Sequence, residues 1–463
     1  MGHAFLLALG LYFLAQVAIR VAQQGALELD EAEQVFDAQQ LRLGYGSQPP
    51  LYAWLQWTVF QLTGVNHVGI SVLKNALLFA LYASVYQLAR LLLGALAAMA
   101  IAASLVLLVP LGWEAQIDRT HSLLATALAA GALWTYFALL RKPGKRHWVL
   151  LGLLLGLGMQ SKYNFVVFAL GLAAASLLVR EHRKQVWTGD IWIAVSVAAL
   201  CLLPHASWFI EQFDTATAQT LYKMNDIDPH AGYATNVASG IKHLLLSIAS
   251  FVTPLWIVLA FAYRSPRHGT LRSNTPDARF FFWFYTSALA CIAALVLSGH
   301  LAHIKSRWLQ PLLFSVPLAC FVVFVPESPS VYRRLLRIAI VVGLAMMVVL
   351  AVRSQLQLAF GRNSRIHQPF PELASELGRR FPDTRLVAVE DRYVGGNVRM
   401  QWPTVSVILL DELCGQAPFV EGRVLVLTQA PLRGCPGLAV VQAGQVSPAS
   451  LRFNYALVER HRK

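Results

Sequence analysis

The feature that most constrains this chain is the recurrence of apolar runs long enough to cross a bilayer. A helix crossing ~30 Å of hydrocarbon takes roughly 20 residues at about 1.5 Å each. Runs of about that length, some shorter, lie near 4–22, 67–90, 95–112, 122–140, 148–160, 163–179, 191–210, 241–263, 280–298, 308–325 and 338–352. They predict a polytopic α-helical membrane protein with about eleven transmembrane helices. Charge agrees. Only 13% of the residues are Asp, Glu, Lys or Arg, where a soluble domain carries about 25%. A soluble enzyme, a disordered chain and a disulfide-stapled miniprotein are all excluded. The first run reads as a retained helix, because Met1-Gly2-His3 is a poor basic start for a signal peptide and no small-residue cleavage site follows.

A formal net charge of +14 would point to nucleic acid in a soluble protein. In a membrane protein it asks instead which side holds the basic residues, and nucleic acid is not an expected partner. Arg141, Lys142, Lys145 and Arg146 form one basic loop; Arg180, Arg183 and Lys184 form a second. Arg264, Arg267, Arg272 and Arg279 make a third, and Arg333, Arg334 and Arg337 a fourth. Threading the runs in order puts all four on one side, which the positive-inside rule assigns to the cytoplasm. Segments 23–66, 113–121, 211–240, 299–307 and everything after about 353 then face outward. The first of them carries Glu28, Asp30, Glu31, Glu33 and Asp37 against one Arg42.

The expected organisation is a membrane domain over 1–352, with 23–66 as an outward loop containing juxtamembrane helices, and a small outward α/β domain over 353–463. In that tail Leu386 to Val389, Val405 to Leu410 and Val424 to Leu427 look like strands, and 371–381 like an amphipathic helix. In an oxidising compartment Cys414 and Cys435 either close a loop of about 20 residues or remain free thiols.

Three groups of residues carry possible chemistry. Asp30 and Glu31 follow the first span in LELDEAEQVFDAQQ. Such a pair is either a solvated face or an active carboxylate held near the membrane. The second reading gains from Ala32 to Leu43, where Val35, Phe36, Gln39 and Leu43 recur at helical spacing and predict a short interfacial helix. Gln48-Pro49-Pro50 then makes a rigid turn, and Leu51, Trp54, Leu55, Val59 and Leu62 form a second apolar stripe, with Trp54 and Trp57 suited to an interfacial depth. Lys162 is the second group. It sits at the apex between two short runs, where it either snorkels to the headgroups or faces an anion. The third comprises Asp118, Arg119 and His121, then Lys305, Arg307 and Trp308 with His300 and His303 before them, and His205 beside Pro204. Acids on one outward loop and cations on others suit a sugar linked to a lipid phosphate. No HxxxH or HExxH spacing supports a metal site, so none is expected. Walker, Rossmann and GxSxG patterns are absent as well. An outward site is out of reach of cytosolic nucleotide sugars, so the energised donor should be lipid-borne.

The order of one span, Asp-Glu, a Gly and aromatic stretch and then Pro-Pro-Leu with a following Trp, here LDEAEQVFDAQQLRLGYGSQPPLYAWLQ, resembles bacterial members of glycosyltransferase family 39. These are relatives of the protein O-mannosyltransferases and of the aminoarabinose–lipid A transferase, with the type-C (GT-C) fold. DRTHSLLATALAAGALW, GLGMQSKYN, LPHASW and SRWLQPLLFSVPL extend the likeness over roughly 1–325. The resemblance implies an undecaprenyl (polyprenyl) phosphate-linked sugar as donor. It also implies transfer on the periplasmic face of a bacterial inner membrane, no catalytic metal or other cofactor, and an envelope glycolipid or glycan as acceptor. Asp30 falls on the family's presumed base, with Glu31 in support. Gln48, Tyr52, Trp54, Asp118, His121, Tyr163 and His205 fall where substrate would be positioned. Gln48 replaces the Lys of the aminoarabinose transferases, and His121 an Asp found in many members, so Lys162, Lys305, Arg307 and Arg119 are the expected holders of the donor phosphate. The rival readings are a transporter or flippase of lipid-linked saccharides, which internal repeats would favour and which needs no Asp30, and a non-catalytic scaffold acting through its tail.

Overall fold

A computed structural model of the chain describes residues 2–217, 232–263, 270–362, 364–416, 422–431, 435, 437–448 and 451–460. Arg264 and Arg267 of the third basic loop, and the middle of segment 211–240, lie outside the described residues.

Seven helices among the described residues are long and apolar enough to cross a membrane: Gly2–Gln23, His67–Leu93, His121–Arg141, Ile191–Glu211, Tyr233–Tyr263, Pro276–Leu297 and Ser330–Ala359. An eighth results if Phe165–Leu178 and Arg180–Val186, bent by 106° at their junction, count as one. About eleven spans, some of them short, are expected from the sequence; by length and apolarity seven or eight helices qualify among the described residues. Every expected run is helical, but several are too short. Prolines divide two of them: helices restart with Pro110, Pro311 and Pro317 in their first turns, leaving Val109–Gly112, Gln310–Leu313 and Val316–Val323 as separate pieces.

The chain forms two compact bodies. One comprises Met1–Leu14, Arg42–Tyr52 and Lys74–Met347; the other comprises Ala15–Leu41, Ala53–Leu73 and Val348–Lys463. The grouping cuts across a simple division near residue 352, because most of segment 23–66 clusters with the tail.

In the first body His121–Arg141 is the central helix, with 83% of its apolar window buried. Peripheral helices turn large apolar side chains outward, as Leu7, Leu11 and Leu14 do at 67%, 59% and 64% exposure, one stripe at helical spacing. Such a face requires lipid as its solvent. Lys145–Ser161 packs on Ile191–Glu211 through a small-xxx-small pair: a Cβ on Gly152 would stand 2.4 Å from the Ala194 carbonyl oxygen, and one on Gly156 would stand 2.8 Å from Cys201 Cβ. A two-stranded antiparallel pairing joins β1 (Thr270–Arg272) to β2 (Phe324–Pro326). Arg141 and His182 both contact Asp277, Arg279 pairs with Glu181 at 2.8 Å, and Tyr136 bonds His182 at 2.9 Å. Three of the basic loops thus gather at one end of the bundle.

The second body is built on a five-stranded sheet of order β4-β3-β5-β7-β6, with β3 Leu386–Val389, β4 Ser406–Leu409, β5 Arg423–Thr428, β6 Leu438–Val446 and β7 Phe453–Arg460. β3, β4 and β5 are parallel, while β5–β7 and β7–β6 are antiparallel. Side chains alternate between two buried faces. Val387 and Val389 join Leu373 and Leu377 of helix Phe370–Arg380 on one side, and Ala388 joins Leu413 of helix Leu410–Gln416 on the other. Cys414 and Cys435 are disulfide-bonded, with Cα atoms 5.0 Å apart and a sequence separation of 21. Replacing both by serine should cost about 3 kcal/mol, read as a lower unfolding midpoint of the tail in the full-length protein; a midpoint indifferent to reductant would contradict this.

Candidate active site

In the second body, Asp30 and Glu31 lie in the first turn of helix Leu29–Asp37. The helix begins three residues earlier than the apolar spacing predicts, because Glu28 caps it and Glu31 Oε2 accepts the Glu28 amide at 3.4 Å. It ends early as well: Gln39 Nε2 donates to the Phe36 carbonyl at 2.8 Å, and Leu43 lies beyond it, 41% exposed. Glu31 is fully buried and pairs with Arg20 at 2.9 Å. Glu28 pairs with Arg353 at 2.9 Å and Arg365 at 3.7 Å, and Asp37 with Arg392 at 3.4 Å. A purely solvated acidic face is therefore not what forms. Asp30 itself is half-buried.

Pro49 and Pro50 lead into helix Leu51–Thr63. Its buried face carries Tyr52, Ala53, Gln56 and Phe60, offset from the expected stripe, whereas Trp54, Leu55 and Val59 are partly exposed and Leu62 is 84% exposed. The protein's own packing leaves the large apolar residues outward, the arrangement of a helix whose remaining face meets a bilayer surface.

In the first body, the turn between Ser161 and Phe165 gathers most of the other predicted residues. Helix Lys145–Ser161 has 17 residues rather than the 13 expected, so it is about 25 Å long. It brings Lys162 level with the start of the central helix, where Lys162 Nζ donates to Ser122 Oγ. His121 Nδ1 donates to the Ser161 carbonyl at 3.2 Å, and the His121 ring lies 5.5 Å from that of Tyr52. Tyr163 stacks on His205 at 5.8 Å, and His205 Nδ1 donates to the Leu43 carbonyl at 2.7 Å. Asn164 Nδ2 donates to the Trp308 carbonyl at 2.6 Å, which brings the Lys305–Arg307 segment alongside; both cations are half-buried. The segment holding Gln48 is a tight turn in which Tyr45 and Gln48 exchange backbone hydrogen bonds, with Gly46 at φ 63°. A Cβ on Gly44 would stand 2.3 Å from the Trp208 ring, so this segment lies close against the His205 helix. Arg119 is engaged with Glu114 at 2.8 Å and with the Asp118 carbonyl at 2.8 Å. The basic loops and the Lys162 cluster sit at opposite ends of the 21-residue central helix, about 30 Å apart.

Several polar atoms here have no hydrogen-bond partner among the described residues: Tyr163 Oη, Asn164 Oδ1 and Nε2 of His205, a residue 5% exposed. With Nδ1 donating, neutral His205 presents Nε2 as an acceptor. Groups of this kind match sugar hydroxyls. His303 instead lies against His243, ring centroids 4.2 Å apart. Among the described residues no three His, Cys, Asp or Glu side chains gather as a metal centre requires.

The sequence reading missed Lys74, which is 2% exposed and donates to the Ile117 carbonyl at 3.3 Å. A lone lysine inside an apolar span was the available signal. Ser122 and Asn164 were missed because neither stands out from neighbouring small polar residues. Gln56 is wholly buried, with neither amide atom hydrogen-bonded among the described residues, and nothing in the sequence marks it.

Residues 47–208 match the dolichyl-phosphate-mannose-protein mannosyltransferase family. The chain is 32% identical over 407 residues to the lipopolysaccharide core galacturonosyltransferase RgtB of Rhizobium johnstonii, covering 87% of this chain and 82% of that protein. It is 32% identical to the lipopolysaccharide core galacturonosyltransferase RgtA of the same organism, covering 88% and 82%. A shorter match, 30% identical, covers 46% of this chain and 44% of the lipid A galacturonosyltransferase RgtD. In fold, the chain is similar to ArnT from Cupriavidus metallidurans bound to undecaprenyl phosphate, with a TM-score of 0.63 at 12% identity over 98% of this chain and 97% of that one. The chain belongs to the GT-C glycosyltransferase family that includes these galacturonosyltransferases, and it is a multi-span membrane glycosyltransferase.

Proposed function

We propose that the enzyme transfers galacturonic acid from undecaprenyl phosphate to the lipopolysaccharide core on the periplasmic face of the bacterial inner membrane, with inversion at the anomeric carbon. The observation that carries this reading is the Lys162 turn, where an ammonium is fixed by Ser122 beside Tyr163, Asn164 and His205. The positive-inside rule assigns the end holding Arg141, His182 and Arg279 to the cytoplasm, and hence the Lys162 end to the periplasm. The acceptor hydroxyl oxygen attacks the anomeric carbon as the bond from that carbon to the phosphate oxygen breaks. Asp30 takes the hydroxyl proton, and the polyprenyl phosphate departs with the bonding pair, its growing charge met by Lys162 and Arg307. Phosphate is a good leaving group, so no general acid is required. Arg119, paired with Glu114, is a further candidate contact to that phosphate.

The uronate is favoured by the names of the two long relatives. Mass spectrometry of lipopolysaccharide with and without the gene should show loss of one hexuronic acid from the core. Purified enzyme should restore it from undecaprenyl-phosphate galacturonic acid. Transfer of a neutral hexose instead would overturn the uronate assignment, and no change in any envelope glycan would overturn the transferase assignment.

A further inference from the structure

The Asp30 helix rests on the tail helix Arg392–Gln401 at a closeness only glycine permits. A Cβ on Gly396 would stand 1.9 Å from the Ala32 carbonyl oxygen, and one on Gly395 would stand 2.6 Å from the Phe36 ring. Adjacent glycines inside a ten-residue helix are the least favourable choice after proline, and neither has a left-handed φ to justify it. Their use is approach. The flanks are fixed too. Asn397, wholly buried, accepts the Leu27 amide at 2.7 Å, while its own Nδ2 donates to the Tyr393 carbonyl at 3.0 Å. On the far side, the Gln39 carboxamide accepts from Val407 N at 2.8 Å and donates to Val407 O at 2.9 Å, and its oxygen also takes Arg399 Nη1 at 3.1 Å. Arg392 pairs with Asp37 and lies over the Phe36 ring at 6.0 Å. A helix of nine residues is too short to persist alone, so its axis and height are set by this seat.

We infer that Gly395, Gly396 and Asn397 are positioning residues of the transfer reaction: the tail sets where the Asp30 carboxylate stands, and so belongs to the catalytic apparatus. This rests on the reading of Asp30 as the base. The tail touches no reacting atom in this account. It acts through the helix it holds, and a displacement of about 1 Å at a reacting group costs roughly 100-fold in rate.

The test uses full-length enzyme in detergent, with undecaprenyl-phosphate galacturonic acid and core lipopolysaccharide as substrates. Gly396→Ala meets backbone, cannot be absorbed by a rotamer change, and should lower kcat by roughly 100-fold with the donor KM unchanged. Gly395→Ala meets the movable Phe36 ring at 2.6 Å and a Val389 methyl at 3.0 Å, so most of its smaller loss of kcat should be recovered when Phe36→Leu is added. The Cys414–Cys435 disulfide and the unfolding midpoint report that the tail is intact. If Gly396→Ala fails to fold, the Gly395→Ala and Phe36→Leu cycle decides. Parental kcat in the glycine variants overturns the proposal, as does a loss confined to KM or one that Phe36→Leu leaves unrecovered. Asp30→Asn is assayed alongside. An active Asp30→Asn enzyme removes the reading of Asp30 itself, whereas an inactive one beside active glycine variants removes only the positioning role.

Discussion

Asp30→Asn should lower kcat by roughly 100- to 10,000-fold, the range lost when a positioned general base is removed. The substitution is nearly isosteric. The Glu28–Glu31 cap, the Glu31–Arg20 pair and the Gly395–Gly396 seat hold the helix. A loss is assigned to chemistry when expression and the tail's unfolding midpoint match the parent. Glu31→Gln makes the contrast. It strips the charge from a buried partner of Arg20, so its effect should appear as lost stability together with lost activity. An Asp30→Asn enzyme as fast as the parent would leave the transfer without a base.

Lys162→Met should lower kcat by roughly 100- to 1,000-fold, equivalent to about 3 kcal/mol of transition-state stabilisation from one preorganised donor. The phosphate carries more charge as it leaves than when it is bound, so the deficit should fall mainly on kcat. Lysine acts here as a point charge rather than a fork, and Lys162→Arg should rescue only part of the rate, since a longer, planar guanidinium replaces the compact ammonium that donates to Ser122. The alternative, an ammonium that merely reaches to headgroups, predicts no change in rate for Lys162→Met. Steady-state assays with the polyprenyl-phosphate donor distinguish the two.

Much of the membrane architecture was legible because uninterrupted apolar runs have few other uses. Hydropathy is blind to where a run breaks: Pro311 and Pro317 sit inside one apolar stretch and divide it into helices of four and eight residues. Lys162 was readable because a charge between two apolar runs is conspicuous. Lys74, equally visible as a lone lysine, was passed over because it lies inside a 27-residue span that absorbs one charge without losing its apolar character. The tail strands β3, β4 and β5 announced themselves as short Val- and Leu-rich runs, while the polar residues along β6 hid that strand. The acidic cap shifted the start of the Asp30 helix, and the spacing of Val35 and Phe36 gave no hint that their cover is a helix more than 350 positions later. Likewise Gly-Gly in RYVGGNVRM reads locally as a helix breaker, and only the approaching Ala32 carbonyl explains it.

The pairing of Gln39 with Val407 has a consequence for the open edge of the tail sheet. β4 is an outermost strand, hydrogen-bonded to β3 on one side only, and such edges recruit stray strands into aggregates. A single carboxamide occupies both main-chain groups of Val407 at once, mimicking the neighbour the sheet lacks. The same glutamine that ties down the Asp30 helix thus also serves as a gatekeeper against edge-to-edge association in a crowded compartment.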